Sequence, residues 1–444
     1  MSNQAILRIG REISQIQHGT DLSLAVACKE ADIRNIKALI VGPPETPYEF
    51  GFFEFAIKFP EDYPGSPPHV HGTTTNGGRC RFNPNIYATG KVCLTWRGES
   101  GEQWSSAQGL ESVLISIQSL MSSNPYENEP GFENAKSDHD RRNMAHYVAK
   151  IRHETLRISV IQRLEDFLGI QSDGSVFPPT PPGFLQDDDD EEEDRLTGDD
   201  DRPSFEPFRD LLKRRFLWYY ESYINAVNAA EPEASPSQQF KRMPFESVGN
   251  TMDGRFHYPD LRRRLIFIKE TIMNETEGWA AEGMKALAKE SRIAVNLQRQ
   301  HEQVVEDLKN KKNFMIDLGL EKGNPFVWDM TYFGRPMTQL DGGIFQIRIC
   351  LSPNFPEEQP RVIVKTPLFH NRISKDGILC YFPKKPEEMK SHVEAIIEAL
   401  EEETPPYDPR TTVHPEASKL FWGTAEDKKK YNRLLRRSVQ RSIE

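Results

Sequence analysis

The chain has few cysteines, and their spacing indicates neither a disulfide framework nor a metal site. There are five, with no C-x-x-C pair among them, namely Cys28, Cys80, Cys93, Cys350 and Cys380. Structural zinc sites and disulfide-stapled domains both depend on recurrent short cysteine spacings. The sequence therefore predicts reduced thiols, no disulfide bonds and no bound metal.

The chain also lacks long apolar runs and an excess of positive charge. No stretch approaches the roughly 20 apolar residues of a membrane span, and the N-terminal MSNQAILRIGREISQ has no signal-peptide core. The formal net charge of −11 argues against a general nucleic-acid binder. We expect a soluble protein of the cytoplasm, the nucleus or both, with neither membrane nor nucleic acid among its partners.

A proline-rich and acidic segment interrupts the chain between residues 171 and 207. It holds two Pro-Pro pairs and eight consecutive carboxylates, Asp187 to Asp194. Such a run repels itself and has too little apolar surface to fold, so a disordered linker is predicted. Docking of this run on the basic last helix, between Lys428 and Arg437, remains an alternative hypothesis.

The most informative stretch is RFNPNIYATGKVCLTW, from Arg81 to Trp96. It is too rich in Pro, Gly and Asn for a helix, which indicates a loop. Cys93 lies eight residues after Asn85, and Tyr87 lies between them. A thiol of ordinary pKa, about 8.5, attacks acyl groups through its thiolate fraction. A fixed amide N–H stabilises the resulting oxyanion by roughly 3–4 kcal/mol. The alternative is a buried thiol beside a turn asparagine.

An Asn-Pro-Asn followed eight residues later by cysteine resembles the active-site signature of ubiquitin-conjugating enzymes. Most of that family has His-Pro-Asn, so Asn83 stands where a structural histidine is usual. The N-P-N variant, KVCL and NPYENEP resemble the large Z-type branch. The resemblance implies that Cys93 takes ubiquitin or a ubiquitin-like protein from an activating enzyme as a thioester, and passes it to lysine amines or a ligase. It also implies that Asn85 positions the oxyanion and that Tyr87 shapes the path of the acceptor. No cofactor is implied, because the activating enzyme uses the ATP.

The first helix is a candidate surface for the activating enzyme. Residues 4–17 have isoleucines on one helical face, and Arg8 and Arg11 lie off that face. In the resembled family, basic residues of this helix meet the activating enzyme. Both arginines are equally consistent with a solvated surface.

A second candidate surface is the proline-rich loop YPGSPP, which resembles the loop that the family presents to ligases. Tyr63, Pro64 and Pro67 are its candidate residues, and Trp104 opens W-S-S-A where the family has W-S-P-A. Rigid prolines also simply turn the chain between strands. The two interpretations are compatible.

The C-terminal part repeats the plan of the first. Gly51 and Gly343 each precede an aromatic-proline pair by twelve residues, and the offset between these copies is 292. The G-x-x-C of Cys93 recurs at Cys380, where the offset has fallen to 287. An insertion of five residues in the first copy explains the difference.

The second copy resembles the same family with weaker motifs. His370-Asn371-Arg372 replaces the family's His-Pro-Asn, so an arginine stands eight residues before Cys380. Cys380 is a second candidate thioester site, either independent or supplied by relay from Cys93. Otherwise this copy binds ubiquitin, a ligase or the first domain without catalysis.

These patterns predict an α+β protein with two domains like that of the ubiquitin-conjugating enzymes. Each is expected to be a four-stranded antiparallel meander sheet with flanking helices. The predicted boundaries are a catalytic domain over 1–170, the linker over 171–207, a helical extension over 208–276, which also resembles the Z-type branch, and the second domain over 277–444.

Two rival functions come from other classes. A non-catalytic ubiquitin-binding scaffold leaves both cysteines idle, and the intact spacing of Asn85 and Cys93 argues against it. A papain-like thiol hydrolase needs a general-base histidine and its own sequence signature, and no C-G-x-C-W pattern is present.

Overall fold

The structure is a computed structural model that describes residues 3–94, 103–134, 136–177, 205–233 and 237–444. The chain divides into two compact units. The first unit consists of Met1–Gly42, Gly51–Leu212 and Arg242–Met252. The second unit consists of Pro43–Phe50, Lys213–Lys241 and Asp253–Glu444.

The first unit is built on a four-stranded antiparallel sheet in which sequential strands are neighbours. The strands are β1 (Leu24–Lys29), β2 (Asp32–Val41), β3 (Phe52–Lys58) and β4 (His69–Gly72). β2 pairs with β3 along its buried half, where Ile40 lies opposite Phe53 and Ala38 opposite Phe55. These side chains are at most 3% exposed, so the central strands hold the core.

Helices flank this sheet. They are α1 (Asn3–Gln17), α2 (Leu110–Ser119), α3 (Asp138–Glu154) and α4 (Arg163–Leu168), with a π-helical segment at Thr155–Gln162 between the last two. The apolar spacing after Cys93 predicts a helix that opens at Trp104, but the helix begins at Leu110. The reason is local, because Gly109 is extended and Glu12 of α1 accepts the Leu110 N–H at 3.0 Å.

The core of the first unit lies where α1 and α2 meet the sheet. α2 places four side chains with no exposed surface on one face, namely Leu110, Val113, Leu114 and Ile117. Their spacing is that of one helical stripe. α1 adds Ile9 and Ile13 to the same core, as its isoleucine pattern predicted.

The second unit holds a sheet of the same type and order. Its strands are β5 (Ile316–Leu320), β6 (Val327–Phe333), β7 (Ile344–Cys350) and β8 (Arg361–Val364), all antiparallel. The predicted α+β class and the two antiparallel four-stranded sheets are therefore confirmed. Within the part of the chain that the structure describes, each sheet is a meander.

The remaining helices belong to the second unit, apart from the first turn of α5. They are α5 (Arg209–Ala230), α6 (Tyr258–Ala288), α7 (Arg292–Asn310), α8 (Met389–Glu401), α9 (Pro415–Phe421) and α10 (Ala425–Arg441). The sequence pattern predicts one helix over 280–310, and this prediction is wrong, because the chain breaks between α6 and α7. Glu290 has a positive φ of 50°, and the Ser291 side chain caps α7 by accepting the Ala294 N–H.

The two units repeat each other in detail. Gly72 and Val364, at the ends of β4 and β8, each donate a backbone N–H to the positive-φ glycine of the following turn, Gly90 or Gly377. The strand ends are 292 residues apart and the glycines 287 apart. The five extra residues of the first copy therefore lie between Gly72 and Gly90, where the sequence predicted a loop insertion.

Most of the predicted linker, residues 178–204, lies outside the described residues, and so do the carboxylates from Asp187 to Asp194. Among the helices that are described, none is both long enough and apolar enough to cross a membrane. No group of three or more His, Cys, Asp or Glu side chains in the same ranges is arranged to hold a metal ion.

Candidate active site

Cys93 lies in a loop that is fixed by its own backbone. Its N–H donates to the Asn85 carbonyl at 2.8 Å, which brings the two predicted site residues together across the loop. Gly90 turns the chain between them with a φ of 83°. A Cβ at Gly90 would lie 2.4 Å from the His71 ring and 2.5 Å from the Gly72 carbonyl oxygen, so only glycine fits. The Cys93 side chain is half-buried.

Asn83 stands where the resembled family usually has histidine, and its side chain makes two hydrogen bonds. Its Oδ1 accepts the Asn85 N–H at 2.9 Å, and its Nδ2 donates to the Leu120 carbonyl at 2.8 Å. Asn83 has no exposed surface. The side chain therefore ties the catalytic loop to the end of α2, and sequence reasoning did not identify this role.

The Asn85 amide is held only weakly in this structure. Its Nδ2 donates to the Asn128 carbonyl at 3.4 Å, a long hydrogen bond. Asn128 itself is anchored by donating to the Leu120 carbonyl at 2.7 Å. The fixed backbone and weakly held amide leave Asn85 free to turn toward a developing charge.

Tyr87 lies beside the Cys93 thiol. Burial raises the pKa of Tyr87 above its ordinary value, and the neighbouring Cys93 side chain raises it further. The Arg81 guanidinium stacks over the tyrosine ring at 5.0 Å. Tyr87 is therefore a neutral hydroxyl that is held next to the Cys93 thiol.

The proline-rich loop is packed against α1. Tyr63 is 2% exposed, and its hydroxyl donates to Glu12 at 2.6 Å. The Trp104 indole N–H donates to the Pro64 carbonyl at 2.8 Å. Pro64, Pro67 and Trp104 are each half-buried. Tyr63 is thus a buried anchor of the loop, whereas the other three candidates are partly exposed and accessible to a partner.

The two arginines of α1 differ in their surroundings. Arg8 binds Glu12 at 2.8 Å and the Gln108 carbonyl at 2.7 Å, and its guanidinium lies 5.6 Å from the centre of the Tyr63 ring. Arg11 is exposed. Arg8 therefore ties α1 to neighbouring elements, and Arg11 is the better placed of the two for a partner.

The second unit has the same loop backbone around Cys380. The Cys380 N–H donates to the Arg372 carbonyl at 2.9 Å, and Gly377 turns with a φ of 84°. The His370 Nδ1 accepts the Arg372 N–H at 3.1 Å, which is the bond that Asn83 makes in the first unit. The two loops have equivalent backbone hydrogen bonds, and they differ in the burial and contacts of their side chains.

Cys380 is fully buried, unlike Cys93. The Arg372 guanidinium lies 3.8 Å from the Cys380 sulfur. α5 packs over the residue before Cys380, where the Trp218 indole N–H donates to the Leu379 carbonyl at 3.2 Å. Burial raises the pKa of the Cys380 thiol, while Arg372 lowers it. The assignment of a thioester to Cys380 stays a prediction, and this burial weighs against it.

Two other cysteines are core residues. Cys80 and Cys350 are 1% and 2% exposed. Burial raises the pKa of Cys80 well above its ordinary range and that of Cys350 to about 11. These thiols stay protonated at neutral pH, so neither is suited to nucleophilic attack.

The family profile described as "Ubiquitin-conjugating enzyme" matches residues 8–155 and, separately, residues 297–432. The chain belongs to the ubiquitin-conjugating enzyme family. The two matched segments carry the two cysteine loops, so the predicted resemblance and the predicted second copy are both confirmed.

Individual members of the ubiquitin-conjugating enzyme family match part of this chain. Ubiquitin-conjugating enzyme E2 Z of Xenopus tropicalis is 50% identical over 165 residues, which are 37% of this chain and 52% of that protein. The Homo sapiens protein of the same name is 36% identical over 280 residues, covering 63% of this chain and 67% of its own length. The chain thus spans about half the length of the first relative and about two thirds of the second.

Proposed function

We propose that this member of the ubiquitin-conjugating family carries ubiquitin or a ubiquitin-like protein on Cys93. The observation that carries the proposal is the half-buried Cys93 thiol, which is linked through the loop to Asn85 and contacts Tyr87. Cys80, Cys350 and Cys380 are all buried. Cys93 is therefore the thiol of these four that is best placed for exchange with a large protein partner.

The proposed chemistry is two successive acyl transfers. The Cys93 thiolate attacks the thioester carbonyl that an activating enzyme presents, a new C–S bond forms, and the activating enzyme's thiolate leaves. A lysine amine, or a ligase cysteine, then attacks the Cys93 thioester, and the Cys93 thiolate leaves. An attacking amine loses a proton, and the balance of atoms needs no further reactant.

The neighbouring side chains have separate roles in this scheme. The Asn85 amide turns from its weak bond with Asn128 to donate to the oxyanion. Tyr87, as a neutral hydroxyl, lines the path of the incoming amine. We assign Arg11 to the activating enzyme, and Pro64, Pro67 and Trp104 to ligases.

Loading with purified components tests the proposal. The full chain is incubated with activating enzyme, ATP and ubiquitin, and adducts are separated without reducing agent. We expect an adduct that reducing agent removes, that Cys93→Ala abolishes and that Cys93→Ser converts into a reductant-resistant oxyester. An active wild-type chain whose adduct survives Cys93→Ala would overturn the assignment, and no adduct with any ubiquitin-like protein would favour the scaffold.

For the second unit we propose a non-catalytic role, because Cys380 is sealed beneath α5 and paired with Arg372. In the same loading experiment Cys380→Ala should charge and discharge like the wild type. A Cys380-only chain that forms a thioester by itself would restore this cysteine as an independent site. Labelling at Cys380 that requires Cys93 would instead establish a relay.

A further inference from the structure

Residues 242–252 return to the first unit long after its last helix, α4, has ended at Leu168. The Glu246 carboxylate binds Lys150 of α3, and the two side chains are 1% and 0% exposed. Glu246 also accepts the Met243 N–H at 2.8 Å, which closes the segment on itself. A fully buried ion pair fixes register strongly, because loss of either partner leaves a buried charge.

Phe245 provides the second anchor. Its ring packs against three aromatic rings of the first unit at centroid distances of 5.3 to 5.6 Å, those of Tyr126, Phe132 and Tyr147. Such edge-to-face contacts add to the apolar burial. The segment is thereby seated against α3 and the stretch that follows α2.

Arg81 connects this anchor to the catalytic loop. Its Nη1 donates to the Phe245 carbonyl at 3.1 Å, and its Nη2 donates to the Pro84 carbonyl at 2.7 Å and to Glu129 at 3.0 Å. The guanidinium lies between two rings, 5.4 Å from that of Phe245 and 5.0 Å from that of Tyr87. Its side chain is 4% exposed, so these contacts are shielded from water.

Asn250 makes the direct contact with the turn. Its Oδ1 accepts the Ala88 N–H at 3.1 Å, at the residue after Tyr87. The equivalent N–H in the second unit is that of Lys375, which donates to the Glu221 carboxylate of α5 at 2.9 Å. In both copies this N–H has no acceptor within its own turn. It donates instead to a side chain from a distant segment, Asn250 in the first unit and Glu221 in the second.

We propose that residues 242–252 brace the catalytic loop, and that Arg81 and Asn250 are positioning residues for Tyr87 during transfer to an amine. The inference rests on the proposed function of Cys93. Loading by an activating enzyme needs mainly an accessible thiol. Attack by an amine needs the surrounding groups in a narrow geometry, because small misplacements of catalytic groups slow reactions strongly. Loss of the brace therefore slows discharge more than it slows loading.

The test uses the full chain with three variants and two controls. Asn250→Ala removes the acceptor for Ala88, and Asn250→Asp retains an oxygen there. Arg81→Lys removes the stacked, multidentate guanidinium. The matched controls are Arg79→Lys, on an exposed arginine two residues away, and Val248→Ala, on a side chain that is 93% exposed.

Three measurements separate the outcomes, namely the rate of loading, the single-turnover rate of discharge to free lysine, and hydrogen exchange of residues 83–93. In Asn250→Ala we expect discharge to fall about fivefold, as for the loss of one hydrogen bond, with loading unchanged and exchange faster. Asn250→Asp should restore discharge, and both controls should match the wild type.

Discharge and exchange at wild-type levels in Asn250→Ala and Arg81→Lys would overturn the brace. Equal losses of loading and discharge, together with a lower melting temperature, would also overturn it by making the segment a general stabiliser. Failure of the wild type to load would count against the proposed function alone, because hydrogen exchange would still show whether the segment holds the turn.

Discussion

Position 83 shows how one side chain substitutes for another in a loop of fixed backbone. Asn83 and His370 each accept the N–H of the residue two places on, at 2.9 and 3.1 Å. Asn83 has a second donor in its amide and uses it to bind the Leu120 carbonyl. The missing histidine of the first copy is thus compensated by an amide that makes hydrogen bonds with two backbone groups.

Asn83→Ala should therefore destabilise the first unit. It leaves the Asn85 N–H without its acceptor and removes one of the two side-chain donors to the Leu120 carbonyl, so we expect a loss of about 1–3 kcal/mol. Asn83→His should lose less stability, because an imidazole nitrogen can accept the Asn85 N–H, as His370 accepts the Arg372 N–H in the second unit. Urea denaturation of the full chain, followed by hydrogen exchange in β1–β4, measures both. Equal stability of the alanine and histidine variants would contradict this explanation.

Tyr87 should act without changing its charge. Since its pKa is raised, the hydroxyl keeps its proton from pH 6 to above its ordinary pKa of about 10. Tyr87→Phe should slow discharge to lysine by about two- to tenfold, as for one hydrogen bond, and by the same factor at every pH from about 6 to 9. Discharge rates of both proteins across that range provide the check. A ratio that changes with pH would show that Tyr87 titrates or acts as a base.

At the scale of elements, α5 is the helix whose sequence is most easily misread. Its aromatic residues suggest a stacking surface, yet Phe216, Tyr219 and Tyr223 are at most 1% exposed. Trp218 is 5% exposed and packs on the ring of Phe382 with a centroid distance of 5.5 Å. The prediction that these residues form core packing is confirmed. In the second unit, one face of α5 covers Leu379 and Phe382, which lie before and after Cys380 in the sequence.

Removal of the Trp218 side chain should expose Cys380. A buried thiol reacts slowly with alkylating reagents, and access governs the rate as much as thiolate content does. In a Cys93→Ala background, Trp218→Ala should raise the alkylation rate of Cys380 by about tenfold or more, as read by mass spectrometry of the Cys380 peptide. Asn225→Ala, on an exposed position of the same helix, is the matched control. An unchanged rate in Trp218→Ala would show that other elements seal the cysteine.

At the scale of the whole molecule, the second unit replaces an open site with a buried polar cluster. His370, Asn371 and Arg372 are 4–8% exposed, and the Tyr431 hydroxyl of α10 donates to the side-chain Oδ1 of Asn371. Burial, with the nearby Arg372 charge, lowers the pKa of His370 to about 4. Burial likewise lowers that of His392 to about 4. Both imidazoles are neutral at physiological pH.

The second unit should therefore lose stability in mild acid. An unfolded histidine has a pKa of about 6.5, so between pH 6.5 and 4 the unfolded chain binds protons that the folded chain excludes. The free energy of unfolding should fall by about 2 kcal/mol per histidine from pH 7 to pH 5. Urea titrations read by hydrogen exchange in β5–β8 measure this fall. His370→Asn introduces the residue found at position 83, and it should reduce the dependence of the free energy of unfolding on pH. An unchanged pH dependence would contradict the buried-histidine explanation.

Much of this architecture follows from local patterns. The period of two in the strands and the apolar stripe of α2 predicted the elements, and the repeated glycine, proline and cysteine spacings predicted two copies. The break at Ser291 was missed, because a cap in the middle of a helical pattern competes with propensities that favour continuation. The roles of Arg81 and Asn250 were missed for another reason. They are separated by 169 residues of sequence, and no local period relates them.

The sequence by itself determined the family, the two antiparallel sheets and the pairing of Asn85 with Cys93, because these depend on spacings within one loop or one strand. Only the tertiary structure decided that Cys93 is accessible while Cys380 is sealed beneath α5. It also decided that Arg8 is engaged with Glu12, and that residues 242–252 hold the catalytic turn. Burial and long-range hydrogen bonds are properties of the packed chain, so two similar loops acquire different chemistry from the elements that pack on them.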